Sequence, residues 1–270
     1  GDHRDLHSFP TRRSSISMDE GVIVEGNKEW TLSISNVNGS MDADEDASDN
    51  EMSFSLNGID DLAEGKAVCI EEATGTWCTW CPRGAVFLDE MSKRFGEHFV
   101  GVAVHNNDPM AFAEYDGAIT SFPNFSGFPS VIYQREEILD PGAIVNPSLN
   151  DMRVAAPAGL VVGATYDESS RELVTSIDVQ FAEDVAGADY NVAIVLTEDG
   201  VTGTGQGWNQ INAYSGGGNG PMGGYELLSG SVPGELMVYN HVGRALVDGF
   251  EGVSDIVSGD YLTGDRKAHV

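Results

Sequence analysis

Trp77-Cys78-Thr79-Trp80-Cys81-Pro82 places a Cys-x-x-Cys pair between a short β-like run, Lys66-Ala67-Val68-Cys69-Ile70, and a helix-like segment from Pro82 to Phe95. Two cysteines at a strand-to-helix junction suit thiol–disulfide exchange. The first sulfur is expected at the helix N-terminus, where unpaired N–H groups and the helix dipole favour thiolate over thiol. The second is expected one turn in, close enough to resolve a mixed disulfide. A zinc site needs about four ligands, and no second Cys-x-x-Cys or His pair accompanies the first. Haem attachment would need His where Pro82 stands. No metal or cofactor is therefore expected.

Working outward, residues 61–156 alternate between strand and helix. A β-run at 66–73 leads into the helix at 82–95, with Ala85, Leu88, Met91 and Phe95 on one face and Gly96 as its stop. Phe99 to His105 is a near-continuous apolar strand of the kind buried on both faces. Asp108 and Pro109 are expected to start a second helix running to about Thr120. Pro129–Arg135 and Glu136–Leu139 read as a hairpin, and Ile144–Val154 as a closing helix. The third cysteine, Cys69, is expected to be inert core.

Residues 157–270 change character, with strand-like runs at Leu160–Tyr166, Leu173–Phe181, Asn191–Leu196 and Glu235–Asn240. An incomplete antiparallel sandwich is the natural reading. The glycine-rich stretch from Gly216 to Gly224 contains a formal G-x-G-x-x-G match but lacks a βαβ context, so it reads as a flexible surface loop. Residues 16–60 form a β-rich segment, with pieces at Glu29–Ser35 and Met52–Leu56 around an acidic stretch from Met41 to Asn50. That stretch lacks the glycine and closing glutamate of a calcium loop and reads as solvated. Residues 1–15 look artefactual, like a translated sequencing adapter, and the far end reads as a truncation.

The chain has 270 residues, enough for two modest cores, with 41% hydrophobic residues and 33 glycines. No apolar run approaches the roughly 18–20 residues that span a bilayer. A formal charge of −29 argues against nucleic acid, whose phosphates demand a basic surface. Three cysteines are too few for a disulfide framework in a chain of this length.

The middle segment resembles the thioredoxin-like superfamily through three marks in order. These are Glu72 six residues before the first cysteine, Trp77-Cys78-Thr79-Trp80-Cys81, and Gly127-Phe128-Pro129-Ser130-Val131-Ile132 downstream. A narrower likeness is to the twenty-eight-kilodalton outer-membrane protein family of Gram-negative bacteria. It is carried by Glu71 to Gly84, Val104-His105-Asn106-Asn107-Asp108 and Asn240-His241-Val242-Gly243-Arg244-Ala245. The resemblance implies an α/β thioredoxin-like domain followed by a β-rich domain in a surface or secreted protein. Its place would be the periplasm, the outer-membrane surface or the medium, with any membrane association through an anchor lost from this sequence.

On that resemblance Pro129 is a cis-proline facing the cysteines, Cys78 the nucleophile and Cys81 the resolving thiol. Glu72 lies beneath them and exchanges protons with Cys81. Trp77, Thr79, Trp80 and Phe128 are the substrate-contacting residues. Thr79-Trp80 replaces the Gly-Pro of thioredoxin, and Phe128 replaces a small polar residue, so reductant, oxidant and isomerase all remain open. Two functions follow: an extracytoplasmic oxidoreductase acting on cysteine-containing proteins, or a non-catalytic surface or adhesion protein with a static disulfide. His105 and Asp108 are read as a helix cap, and His241 and Arg244 as structural.

Overall fold

The computed structural model of the protein describes residues 27–33, 51–57 and 61–269, which divide into two units between Asp61 and Leu62. In the first unit, β1 (Asn27–Ser33) and β2 (Glu51–Asn57) pair antiparallel, with Trp30 opposite Phe54 and Thr31 opposite Ser53. The readings made for residues 1–15 and for the acidic stretch at 41–50 lie outside the described residues.

The second unit is organised on a six-stranded mixed sheet. Its first strand, β3 (Val68–Thr74), runs into helix α1 (Pro82–Phe95), which ends at Gly96 as expected. The strand β4 (Phe99–His105) lies parallel to β3, with Glu72 opposite Ala103 and Thr74 opposite His105. After α2 (Ala113–Thr120), strands β5 (Ser130–Tyr133) and β6 (Glu137–Leu139) form the expected hairpin, followed by α3 (Val145–Met152).

Alternation along β3 sorts its side chains between two helical layers. Glu72 lies under α1, where Gly84 passes over it, and Gly101 of β4 admits Leu88 in the same layer. Glu71 and Ala73 face α2, which contributes Tyr115 and Ile119 to a core shared with Val102, Val104 and Ile132. α2 begins at Ala113, not at Asp108, because the Asp108 carboxylate is engaged elsewhere: it accepts from Met110 N and Thr76 N, both at 2.9 Å. Cys69 is exposed, which corrects the core reading. It sits near the start of β3 opposite Val100, which is also exposed.

The remaining strands are β7 (Ala158–Asp167), β8 (Glu172–Phe181), β9 (Val185–Val192), β10 (Ile194–Glu198), β11 (Gln210–Ile211), β12 (Ser231–Val232), β13 (Val242–Val247), β14 (Val253–Tyr261) and β15 (Arg266–His269). Two small sheets, β15-β8-β7 and β14-β9, share a core in which Phe181 stacks on Tyr261 at 4.1 Å. The sandwich is present only in part, because β10 and β13 leave it and extend the central sheet to the order β10-β13-β4-β3-β5-β6. Val195 and Leu246 from these strands pack against the α2-side core. The run read as one strand at Asn191–Leu196 is thus split, β9 feeding one sheet and β10 another.

The Glu235–Asn240 run is not a strand. Met237 and Tyr239 point inward while Leu236 and Val238 are exposed, so the alternation is real. Its backbone, however, finds a sheet partner only in the isolated Val201–Tyr239 bridge, and Gly234–Leu236 is a 3₁₀ turn.

Candidate active site

Cys78 and Cys81 form a disulfide with their Cα atoms 5.3 Å apart. Cys81 is the cap residue of α1 and Pro82 occupies its first turn, where a missing N–H costs nothing. Cys78 precedes the helix by one tight turn, closed by Cys81 N donating to Cys78 O at 3.3 Å. The expected positions, first sulfur at the helix end and second inside, are therefore displaced by one turn.

Around the disulfide lies an aromatic rim. Trp77 and Trp80 are 43% and 46% exposed, and Thr79 is exposed between them. The Trp77 indole donates to Asn106 O at 2.7 Å and meets the Phe128 ring edge-on at 5.2 Å. The Phe128–Pro129 peptide is cis. With Ala73 opposite Ser130 in the β3–β5 ladder, Pro129 falls beside Thr74, next to the motif. The structure thus gathers Cys78, Cys81, Glu72, Trp77, Thr79, Trp80, Phe128 and Pro129 into one region.

Both cysteines are nonetheless buried, Cys78 at 3% and Cys81 at 1% exposure. The cover comes from a distant part of the chain that sequence reading did not connect to the motif. Ile211 N donates to Thr76 O at 2.8 Å, Ala213 N to Thr79 O at 2.9 Å, and the Gln210 side chain to Cys78 O at 3.0 Å. Thr76 Oγ1 returns a bond to Gly207 O, and Tyr214 stands edge-on to Trp80. A local core of Met110, Val201, Val232, Met237, Tyr239 and Val242 supports this segment from beneath. The glycine-rich stretch continues it: a Cβ on Gly223 would lie 2.7 Å from Val86, so these turns rest against α1.

Glu72 is 1% exposed, and neither carboxylate oxygen has a hydrogen-bond partner. Burial raises its pKa from 4.5 to about 8, and the Thr74 hydroxyl, nearby but outside hydrogen-bond geometry, offsets only part of that. Glu72 and Cys81 line the same cavity of about 130 Å³, together with Asp89, His105, Tyr239 and His241. It has room for several waters and enough polar wall to hold them. The geometry under α1 leaves no slack: a Cβ on Gly84 would lie 1.6 Å from Glu72 Oε1. Gly84→Ala gains about 1 kcal/mol of helix propensity but overpacks the carboxyl by up to about 3 kcal/mol. A net loss and a melting temperature lower by several degrees are expected in calorimetry; an unchanged or higher value would refute this packing.

His105 and Asp108 do not form a helix cap. The His105 Nδ1 donates to Asp108 Oδ2 at 2.7 Å, with both side chains buried. Asp108 also receives Thr76 N, so one carboxylate anchors the histidine and the loop carrying the cysteines. His241 lies 3.3 Å from Asp89 at the cavity edge, and Arg244 pairs with Glu198 at the surface. Among the described residues no group of three or more metal-ligating side chains converges, and no helix is long and apolar enough to cross a membrane.

No family model matches the chain, and no curated protein does. Two solved structures are similar. A crystallographically determined protein of Agrobacterium tumefaciens aligns over 76% of this chain and 78% of its own, at 13% identity and a TM-score of 0.42. HBP35 of Porphyromonas gingivalis aligns over 76% of this chain and 64% of its own, at 16% identity and a TM-score of 0.46. Likeness at this level assigns neither family nor function.

Proposed function

We propose that the chain is a thioredoxin-like thiol–disulfide oxidoreductase acting outside the cytoplasm on cysteine-containing proteins. The observation that carries this reading is Glu72, a fully buried carboxyl with no hydrogen-bond partner, facing a cavity that Cys81 also lines. Buried polar groups are almost always satisfied, and an exception calls for an explanation such as a catalytic role. Proton exchange with a resolving thiol is such a role, and a pKa near 8 suits it.

The order β3-α1-β4-α2-β5-β6-α3 and the cis bond before Pro129 support the thioredoxin-like assignment. A disulfide is at home in an oxidising compartment, which agrees with the periplasmic, surface or secreted place implied by the outer-membrane family resemblance. In the reaction Cys78 thiolate attacks a substrate disulfide presented at the rim formed by the exposed Trp77 and Trp80. Cys81, deprotonated towards Glu72, then attacks Cys78 and releases the substrate thiol.

A second reading is favoured by the cover itself. With Cys78 only 3% exposed, the pair could be a static disulfide within a surface scaffold. Equilibration with glutathione separates the two. An oxidoreductase is expected to show a potential between about −270 and −120 mV, with Cys81→Ser trapping mixed disulfides. A potential below about −300 mV and no trapped partner would leave the scaffold reading standing.

A further inference from the structure

We propose that His105, held by Asp108, is the relay that carries the Cys81 proton between Glu72 and solvent through the cavity beneath the disulfide. The inference rests on the oxidoreductase reading and assigns a positioning role that acts through Glu72.

His105 and Glu72 lie on the same face of neighbouring parallel strands, because Glu72 pairs with Ala103 and His105 is two residues further on. A strand spacing of about 4.8 Å and a rise of about 3.3 Å per residue set their Cα atoms about 8 Å apart. That gap is right for side chains joined by water. Asp108 Oδ2 accepts from the His105 Nδ1, which leaves Nε2 as the nitrogen able to take or give a proton on the cavity side. Asp108 is itself fixed by the Thr76 and Met110 N–H groups, so the ring is held rather than free to rotate. The ring of Tyr239 stands edge-on to it at 5.7 Å and fixes its other side.

The proton of Glu72 leaves by way of the cavity that His105 also lines. Neither oxygen has a protein partner, and the side chain is sealed beneath Gly84. The titratable groups facing the cavity are Glu72 from β3, Cys81 and Asp89 from α1 and its cap, and Tyr225, Tyr239 and His241 from the covering segment. His241, with its side chain 19% exposed and paired to half-exposed Asp89, forms the outer end of the path.

The step balances as follows. Cys81 Sγ–H gives its proton through cavity water to Glu72 in its ionised fraction, which grows as pH rises towards 8. The resulting thiolate attacks Cys78 Sγ of the mixed disulfide, the Cys78–substrate bond breaks, and the substrate thiolate leaves with the electron pair. Protonated Glu72 then returns its proton by water to His105 Nε2 and outward past His241. The two cysteines are oxidised and the substrate disulfide is reduced.

The test uses the dithiol form of the protein, oxidised glutathione as probe, and the fluorescence of Trp77 and Trp80 to follow mixed-disulfide formation and resolution separately across pH. His105→Gln keeps a donor for Asp108 but cannot titrate, and His105→Asn is the second variant should the first not fold. The expected result is an unchanged first step, resolution slowed about 10-fold, and loss of one limb of its pH profile. Combining His105→Gln with Glu72→Gln should slow resolution no further than Glu72→Gln alone, since both act on one proton path. Resolution at the unmodified rate and pH profile, or multiplicative effects in the double variant, would overturn the relay. If the unmodified protein forms no mixed disulfide at all, the oxidoreductase reading fails and the relay with it.

Discussion

Glu72→Gln is expected to make the protein more stable and less active at the same time. The folded state holds this carboxyl protonated up to about pH 8, whereas an unfolded chain releases the proton near 4.5. Between those values the folded state binds more protons than the unfolded one, so stability falls as pH rises. At pH 7 the shift amounts to about 3 kcal/mol. Glutamine keeps the shape without the ionisation, so the variant should gain about that much at pH 7 and almost nothing at pH 4. In a unit of this size the gain corresponds to roughly 6–12 °C in melting temperature. Resolution of a mixed disulfide should slow by about 100-fold, the lower end of the usual contribution of a positioned acid or base. Melting curves at pH 4, 7 and 8.5 decide the stability part: a gain independent of pH would show that Glu72 is not buried as a neutral acid.

A loss of about 3 kcal/mol is expected for Arg135→Ala, the low end of the cost of removing one partner from a buried ion pair, since Arg135 is itself 29% exposed. Arg135 grips Glu71 with two bonds, Nε to Oε2 at 2.9 Å and Nη2 to Oε1 at 2.7 Å. Its guanidinium stacks on Phe250 at 3.8 Å and donates to the Phe250 carbonyl. Glu71 is 2% exposed and would retain only the Tyr115 hydroxyl, at 2.5 Å. The melting temperature should fall by about 10 °C. Adding Glu71→Gln should recover much of the loss, because the damage lies in the stranded charge. No recovery would place the contribution of Arg135 in its stacking on Phe250 instead.

The same residue shows what sequence can and cannot disclose. The hairpin was legible from the apolar runs on either side of it. Its turn was not, because Gln134 and Arg135 both take positive φ, 49° and 58°, where Asn-Gly is the usual choice. The β3–α1–β4 core and the stop at Gly96 were legible because the signals are local. The burial of Glu72 and the cis bond before Pro129 came from the resemblance, and the structure has both. What stayed hidden depends on distant pairing. Nothing in the 210–213 stretch announces that the Ile211 and Ala213 N–H groups bond to Thr76 and Thr79 and the Gln210 side chain to Cys78. Nothing near Asp108 announces that its carboxylate turns back to Thr76 and His105 rather than capping a helix. The 235–240 run reads as a strand and is not one, since alternation reports which side chains point inward and not whether a backbone partner exists.

The cover over the cysteines also sets an order of events during synthesis. Gln210 lies 132 residues after Cys78, and ribosomes add roughly 5–20 residues per second. Cys78 is therefore made roughly 7–26 seconds before the segment that shelters it. The two sulfurs are only three residues apart in sequence, too close to need the rest of the fold to find each other. Pairing of the two sulfurs therefore needs nothing beyond the early chain, whereas their burial waits for the late one.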